Sequence, residues 1–147
     1  MTTPTIITIA DETAAICKHV ASVEGLNACY DYEPQQLGQT PVVTIHFAGI
    51  EPSEMANLRQ SMQVRIYDVR LYVSLEGDWE GAQKLQRELT ITLWERLLTL
   101  QRMGDTANVI MVHLEETKSE FTVDQQQRQY IAATIRLTTQ HRSVYNP

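Results

Sequence analysis

Hydrophobic and polar residues alternate strictly between positions 67 and 75. One side of this segment carries Tyr67, Val69, Leu71, Val73 and Leu75, and the other carries Asp68, Arg70, Tyr72 and Ser74. Because successive side chains of a strand point to opposite faces, the pattern predicts a strand with one face on a core. Upstream, the apolar residues are Met62, Val64 and Ile66, and Arg65 would point the wrong way. We therefore expect a bulge or break near Ile66–Asp68.

This strand is unusually long for a small protein. A run from Ser61 to Leu75 would span roughly 50 Å at about 3.3 Å per residue, whereas typical strands are much shorter. Its first half therefore either leaves the sheet as an arm or forms a separate short strand.

A leucine-rich helix follows the strand. Asp78 is a good N-cap, and Gly104 is a good residue to end the helix. One helical face collects Ala82, Leu85, Leu89, Leu93, Leu97 and Leu100. A second apolar group, Ile91, Trp94 and Leu98, lies far round the helix from the first. A helix that is apolar on two sides needs two partners: one is the sheet, and the other is either the first helix or a neighbouring subunit.

Three elements are predicted before this unit. A first helix begins after Thr8, whose side chain can cap it, and stops at Gly25. Its apolar stripe is formed by Ile9, Ile16, Val20 and Val23. Asn27–Glu33 looks like an edge strand, and Pro41–Ala48 is a second strand with alternating apolar residues.

Two more strands are predicted after the leucine helix. Val109–Glu116 is apolar on both sides, which is typical of an interior strand. Arg128–Gln140 should return beside it as a hairpin, and Phe121 is exposed in the polar connection between the two. The order α-β-β-β-α-β-β predicts a single α+β domain over residues 1–147. Its sheet of about five strands is mixed and mainly antiparallel, and two helices pack on one face.

Composition excludes several classes of function. The chain has 12 Lys and Arg against 18 Asp and Glu, with a net charge of −6, so a basic groove for nucleic acid is not expected. Cys17 and Cys29 are too few for a disulfide framework and read as two buried thiols in a reducing cytoplasm. Neither a signal peptide nor an apolar segment of about 20 residues is found, so no membrane association is expected.

Motifs that carry chemistry are missing. The turn at Gly77 and Gly81 lacks the Lys and Ser/Thr of a phosphate-binding loop. His113 and Glu115 resemble part of a zinc deaminase signature, but the paired cysteines do not follow. The acidic pairs, including Asp11–Glu12, read as solvated charges. We therefore expect no catalytic residues, no cofactor, no metal and no enzymatic activity.

A few short sequence segments, taken in order, point to a family. The first helix is followed by P-V-V-T-I-H-F, then by V-R-I-Y-D-V-R-L-Y-V-S-L, and then by D-W-E-G-A-Q and the leucine helix. Over roughly residues 4–137 this order resembles the tail terminator proteins of long-tailed bacteriophages, also described as minor tail or neck proteins. The resemblance lies in the order of the elements and in the general residue pattern.

The resemblance implies a structural virion protein of the tail or neck, assembled in the host cytoplasm. Such proteins form a hexameric ring that caps the tail tube and joins it to the head-side connector, and in contractile tails the ring also meets the sheath. DNA would pass through the lumen of an acidic ring without specific binding. The alternatives are a neighbouring head-tail adaptor or stopper, and a small α/β enzyme or ligand-binding module.

Candidate interface residues come from the pattern, because the family offers no motif to carry over. The expected subunit contacts are Arg65, Ile91, Trp94, Leu98 and Phe121. A head-to-tail ring contact would explain both the second apolar group of the leucine helix and the overlong strand.

Overall fold

Five strands form one sheet in the part of the chain that the structure describes, and two helices lie on one face of it. The structure is a computed structural model that describes residues 8–52, 60–102 and 109–144. In chain order the elements are α1 (Ile9–Ala21), β1 (Ala28–Tyr30), β2 (Val42–Pro52), β3 (Gln60–Ser74), α2 (Trp79–Leu98), a 3-10 turn (Thr99–Arg102), β4 (Val109–Val123) and β5 (Gln129–Val144). The predicted α+β class and element order are confirmed.

The sheet is mixed and mainly antiparallel, with the strand order β1-β2-β3-β5-β4. β1 is parallel to β2, and the other three pairings are antiparallel. β3 and β4 therefore run in the same direction, as the β3-α2-β4 path predicts, but β5 lies between them. The prediction that β4 is an interior strand is wrong, because the hairpin return places β5 in the inner position and leaves β4 at the edge.

β3 is the central strand and is unbroken. It pairs with β5 without interruption, from Gln60 opposite Val144 to Ser74 opposite Tyr130. Neither alternative for its first half, a free arm or a separate short strand, matches this arrangement, because β5 accompanies β3 over its full length. The long neighbouring strand supplies the hydrogen bonds that a lone arm would lack.

A bulge does lie at the predicted level, between the pairs Phe47–Tyr67 and Gly49–Ile66, but the extra residue is Ala48 of β2 and not a residue of β3. The irregularity lies in the neighbouring strand β2, where the register shifts between Phe47 and Gly49. Arg65 stays in phase with Tyr67 and points to the same face, because a partner for its charge is present inside the core.

Local signals position both helices. The Thr8 side chain accepts a hydrogen bond from the backbone N–H of Asp11, and the Asp78 side chain accepts one from Gly81. Gly77, at a φ of 92°, makes the turn between β3 and α2 that a residue with a Cβ would strain. α2 ends at Leu98 and continues as the 3-10 turn, and the predicted stop at Gly104 lies outside the described residues.

The hydrophobic core lies between the two helices and the sheet. Its members include Ile16, Val20, Val43, Ile45, Val69, Leu71, Leu89, Leu93, Leu97, Ile135 and Leu137. The predicted leucine stripe of α2 is confirmed except at Leu85, which is 37% exposed. Gln86 is buried in its place and donates a hydrogen bond to Ser119 of β4.

Candidate functional site

The outer flank of α2 carries exposed apolar side chains. Ile91 is 62% exposed and Leu98 is 52% exposed, and they lie about two helical turns apart. Trp94 lies between them, half-buried, with part of its ring against the core. We call Ile91, Trp94 and Leu98 the α2 flank. Its outer surface has no contact with the core.

The first helix does not cover the α2 flank. His19 of α1 hydrogen-bonds through Nε2 to the carbonyl oxygen of Arg96, 2.9 Å away, and to the Thr99 hydroxyl, 2.7 Å away. Viewed down the helix axis, Arg96 lies about 140° from Ile91 and about 160° from Trp94. α1 therefore does not cover Ile91 or Leu98, both of which stay more than half exposed.

An aromatic pair continues the apolar surface toward β4. Trp79, at the start of α2, and Phe121 of β4 lie with ring centroids 6.0 Å apart, and both are more than half exposed. Val123 of the same strand is also exposed. Because β4 is the edge strand and Gln86 ties it to α2, these side chains and the α2 flank border the same edge of the sheet.

The opposite edge of the sheet carries a smaller apolar surface. Tyr32, which follows β1, and Ile50 of β2 are both exposed. The rings of Tyr30 and Tyr32 lie near each other, with centroids 5.7 Å apart and planes tilted by 55°. Exposed apolar groups therefore occur at both edges of the sheet, and the two sets have different side chains.

Arg65 does not lie on the surface. Its side chain is buried, and Nη1 is 3.4 Å from the Glu12 carboxylate of α1. Its Nε donates a hydrogen bond to Gln63, at 2.8 Å. The expectation that Arg65 forms part of a subunit interface is therefore not supported, whereas Ile91, Trp94, Leu98 and Phe121 have surface available.

Glu12 is the centre of a buried polar cluster, although the sequence predicted a solvated charge. Tyr67 and Thr139 donate hydrogen bonds to Oε1, the latter at 2.9 Å. His141 donates from Nε2 to Oε2 at 2.7 Å, and its Nδ1 has no hydrogen-bond partner within the described ranges. The cluster joins α1 to β3 and β5.

Electrostatics favour the charged form of Glu12. Burial raises its pKa, but the hydrogen bonds from His141 and Tyr67 and the attraction to His141 lower it more, and the net pKa lies below the ordinary value. The same contacts act oppositely on Tyr67, whose pKa burial and the nearby carboxylate raise well above the usual range. The phenol therefore stays protonated as a donor and the carboxylate stays charged as an acceptor.

The sequence contained a signal for this cluster that the prediction missed. Glu12 precedes Ile16 and Val20 at steps of four residues, which places it on the buried stripe of α1. Arg65 occupies the corresponding place on β3, since it shares the face of Tyr67 and Val69. An acid and a base, each on a core-facing position of its own element, indicate a buried pair.

The face of the sheet away from the helices carries paired charges and, at one end, a small apolar cluster of Leu37, Val42 and Tyr130. Asp68 pairs with Arg136 at 3.2 Å, and Arg70 pairs with Glu33 at 3.0 Å. A shallow depression beside them, of about 230 Å³, is lined by Asp68, Glu115, Lys118, Thr134 and Arg136. Its acids and bases lie side by side with both signs present, and this arrangement resembles a solvated ionic surface.

Two further observations on the described residues concern metal sites and membrane-spanning helices. No group of three or more His, Cys, Asp or Glu within 8–52, 60–102 and 109–144 is placed to hold a metal ion. Neither described helix is long and apolar enough to cross a membrane.

Comparison with known proteins gives a likeness of fold among solved structures. No family model and no curated protein matches the chain. Among solved structures, a chain described as "Virion of native gene transfer agent (GTA) particle" matches with a TM-score of 0.56 at 12% sequence identity. The two chains share a fold. The alignment covers 87% of this chain and 93% of the chain from the particle, so the likeness extends over both proteins nearly end to end.

Proposed function

We propose that this chain is a structural virion protein of a phage-like neck, a tail terminator that forms a ring, caps the tail tube and joins it to the head-side connector. The observation that carries the proposal is the near end-to-end likeness to a chain of a virion particle. The short sequence segments and the element order that resemble tail terminators also support this proposal.

The distribution of apolar surface supports assembly into a ring. A two-fold dimer uses the same patch on both subunits, whereas a head-to-tail ring uses two different patches. The α2 flank and the Trp79–Phe121 pair border one edge of the sheet, and Tyr32 and Ile50 lie at the other. In the proposed ring, the β4 edge of one subunit meets the β1–β2 edge of the next.

The charge of the chain fits a ring that surrounds DNA without holding it. The net charge is −6, and the arginines of the open sheet face, Arg70 and Arg136, are paired with Glu33 and Asp68. Retention of DNA requires unpaired cations that displace counterions from phosphates. The lumen of the proposed ring therefore lets the genome slide past.

Purified protein and purified tail tubes test this proposal. Light scattering after size exclusion should give a ring-sized species, either alone or once tubes are added. Negative-stain images should show tubes whose growth stops with the protein at one end. A protein that stays monomeric under both conditions, with uncapped tubes, would contradict it. Density for the chain between the connector and a separate terminator would assign it to a neighbouring adaptor or stopper instead.

A further inference from the structure

A second depression lies on the open face of the sheet, at the end that carries the small apolar cluster. Its volume is about 380 Å³. Tyr72 of β3 and Tyr130 of β5 line it, with ring centroids 6.4 Å apart and planes at 81° to each other. Leu37, from the segment after β1, also lines it and belongs to the same apolar cluster as Tyr130. We call this depression the tyrosine pocket.

Two carboxylates line the tyrosine pocket. Glu33 comes from the β1 side of the sheet, and Asp124 comes from the β4 side, in the connection between β4 and β5. The Tyr72 hydroxyl lies 3.5 Å from Oε2 of Glu33, and the Tyr130 hydroxyl donates a hydrogen bond to Oδ2 of Asp124 at 3.1 Å. No Lys, Arg or His is among the described residues that line the pocket.

Each carboxylate has one oxygen whose only hydrogen-bond partner among the described residues is a tyrosine hydroxyl. Oε1 of Glu33 accepts from Thr44 and Arg70, at 2.8 and 3.0 Å, while Oε2 has the tyrosine hydroxyl alone. Oδ1 of Asp124 accepts from two backbone N–H groups of the β4–β5 connection, at 2.8 and 2.9 Å, and Oδ2 has the other tyrosine. Because a carboxylate oxygen has two lone pairs, both of these oxygens can accept a further donor.

These contacts also fix the protonation of the pocket. Partial burial raises the pKa of Asp124, but hydrogen bonds from the two backbone N–H groups lower it more, and the net pKa lies below the ordinary value. Burial and the charge of Glu33 raise the pKa of Tyr72, and burial and the contact with Asp124 raise that of Tyr130. At neutral pH the two phenols are therefore neutral donors, and Asp124 is a charged acceptor.

We propose that the tyrosine pocket is a binding site for an arginine side chain carried by an extended segment of a partner protein. The tyrosine rings attract a cation and pack against its methylene stem, and the two carboxylate oxygens accept its hydrogen bonds. Gln35 and Gln125 line the pocket as exposed amides, which can both donate to and accept from the backbone of the bound segment. The inference goes beyond the proposed function and does not depend on it.

The chemistry of the lining selects arginine over other side chains. A guanidinium is planar, stacks on aromatic rings and offers five N–H donors, so it can reach two acceptors at once, whereas the ammonium of lysine is compact and strongly hydrated. Acidic groups are disfavoured, because the pocket is lined by two acids and by no described base. The ionic depression beside Asp68 lacks this selectivity, since Lys118 and Arg136 line it together with acids.

Short peptides test the proposal by saturation-transfer NMR with the full-length protein. The probe is the acetylated and amidated peptide Gly-Ala-Arg-Ala-Gly, and in the matched control citrulline, which has a similar shape and no charge, replaces arginine. The arginine peptide should bind with a Kd on the order of 1 mM, and the citrulline peptide roughly tenfold more weakly. No binding of the arginine peptide, or equal binding of the two, would overturn the proposal. Free argininamide that binds as tightly as the peptide would overturn a protein segment as the occupant.

The position of the site is tested with variants and by crosslinking. Glu33→Gln and Asp124→Asn should each weaken binding of the arginine peptide by roughly five- to tenfold. Glu115→Gln, which removes an acid from the ionic depression on the same face, should leave binding unchanged. Equal binding by all three variants would overturn the site.

A peptide with benzoylphenylalanine next to the arginine locates the site in the unmodified protein. On irradiation it should crosslink to residues 33–37 or 122–130, which mass spectrometry of the digested product identifies. Crosslinks confined to other segments would overturn the site. Because this measurement uses unmodified protein, it remains decisive if a variant fails to fold.

Discussion

At the residue scale, the carboxylate of Glu12 is held by contacts from two different strands. Tyr67 comes from β3, and Thr139 and His141 come from β5. Removal of water from a buried ion costs several kcal/mol, which hydrogen bonds and the opposite charge of Arg65 offset. The cluster therefore adds little net stability compared with apolar side chains, and its main effect is to fix the position of α1 on the sheet.

Glu12→Gln should destabilise the protein by about 3–5 kcal/mol, because Arg65 would remain buried without an opposite charge. Urea unfolding followed by circular dichroism at neutral pH measures the loss. Asp11→Asn is the matched control, since it removes an exposed carboxylate from the same helical turn and should change stability by less than about 1 kcal/mol. Equal losses of stability for the two substitutions would show that the buried Glu12–Arg65 pair does not contribute to stability.

Acid should weaken the wild-type protein through the same group. The pKa of Glu12 is lowered in the folded state, so its contribution is fully present above the unfolded value, about 4.3, and is lost as the pH falls through the folded value. Urea midpoints measured at decreasing pH should therefore fall more steeply for the wild type than for Glu12→Gln. If the urea midpoints of the two proteins fall equally with decreasing pH, Glu12 is not the group responsible for the loss of stability in acid.

At the element scale, α2 has a buried side, an exposed apolar side and a polar remainder. Leu93 and Leu97 are almost fully buried, whereas Leu85, which the same spacing assigned to the core, lies partly in solvent. Periodicity gives the average direction of the buried face. Periodicity does not give the width of the buried face, because that width depends on where α1 and β4 contact the helix.

Leu89→Ala should reduce the free energy of unfolding by about 2–5 kcal/mol, because it removes a buried side chain from between α2 and the sheet. Leu85→Ala makes the same chemical change one turn earlier, at an exposed position, and should cost about 1 kcal/mol or less. Chemical denaturation of both variants provides the comparison. A loss below about 1 kcal/mol at Leu89 would be inconsistent with its place in the core.

Local signals determined which elements the sequence could predict. The caps at Thr8 and Asp78 depend on residues three positions apart, and the alternation in β3 is visible within a few residues. The edge position of β4 and the proximity of Glu12 to Arg65 depend on residues far apart in the chain. Of the five residues expected at an interface, Ile91, Leu98 and Phe121 are exposed, Trp94 is half-buried and Arg65 is buried.

At the scale of the whole molecule, apolar surface and charge have separate locations. The exposed apolar groups border the edges of the sheet, and paired charges occupy its open face beside the small cluster of Leu37, Val42 and Tyr130. Apolar contact between copies is therefore available at the sides of the subunit, while the ionic face remains free for solvent or other partners. This division suits a protein with many neighbours.

Ile91→Lys should prevent or weaken assembly and leave the monomer folded, because Ile91 is exposed and the substitution places a charge on the α2 flank. Thr92→Lys adds the same charge at the adjacent exposed position, on the side of the helix away from the flank, and should assemble normally. Light scattering reports assembly and circular dichroism reports folding. If both variants assemble equally well, the α2 flank is not the contact.

The assembled protein should not retain duplex DNA. Each chain carries a net charge of −6, and the arginines of the open face are already paired. An electrophoretic mobility assay at low ionic strength should show no shift of a linear duplex mixed with the protein. A shift that disappears on addition of salt would reveal phosphate contacts and would contradict a lumen that lets the genome slide past.

The position of β5 between β3 and β4 has a consequence for synthesis. While the chain emerges from the ribosome, β3 can pair with β2, but its other edge stays open and β4 has no strand to join until β5 follows. The nascent protein thus carries two unpaired strand edges, which are sites of aggregation, until its final strand has been made. Premature release of the polypeptide before that point should yield insoluble fragments rather than a smaller folded unit.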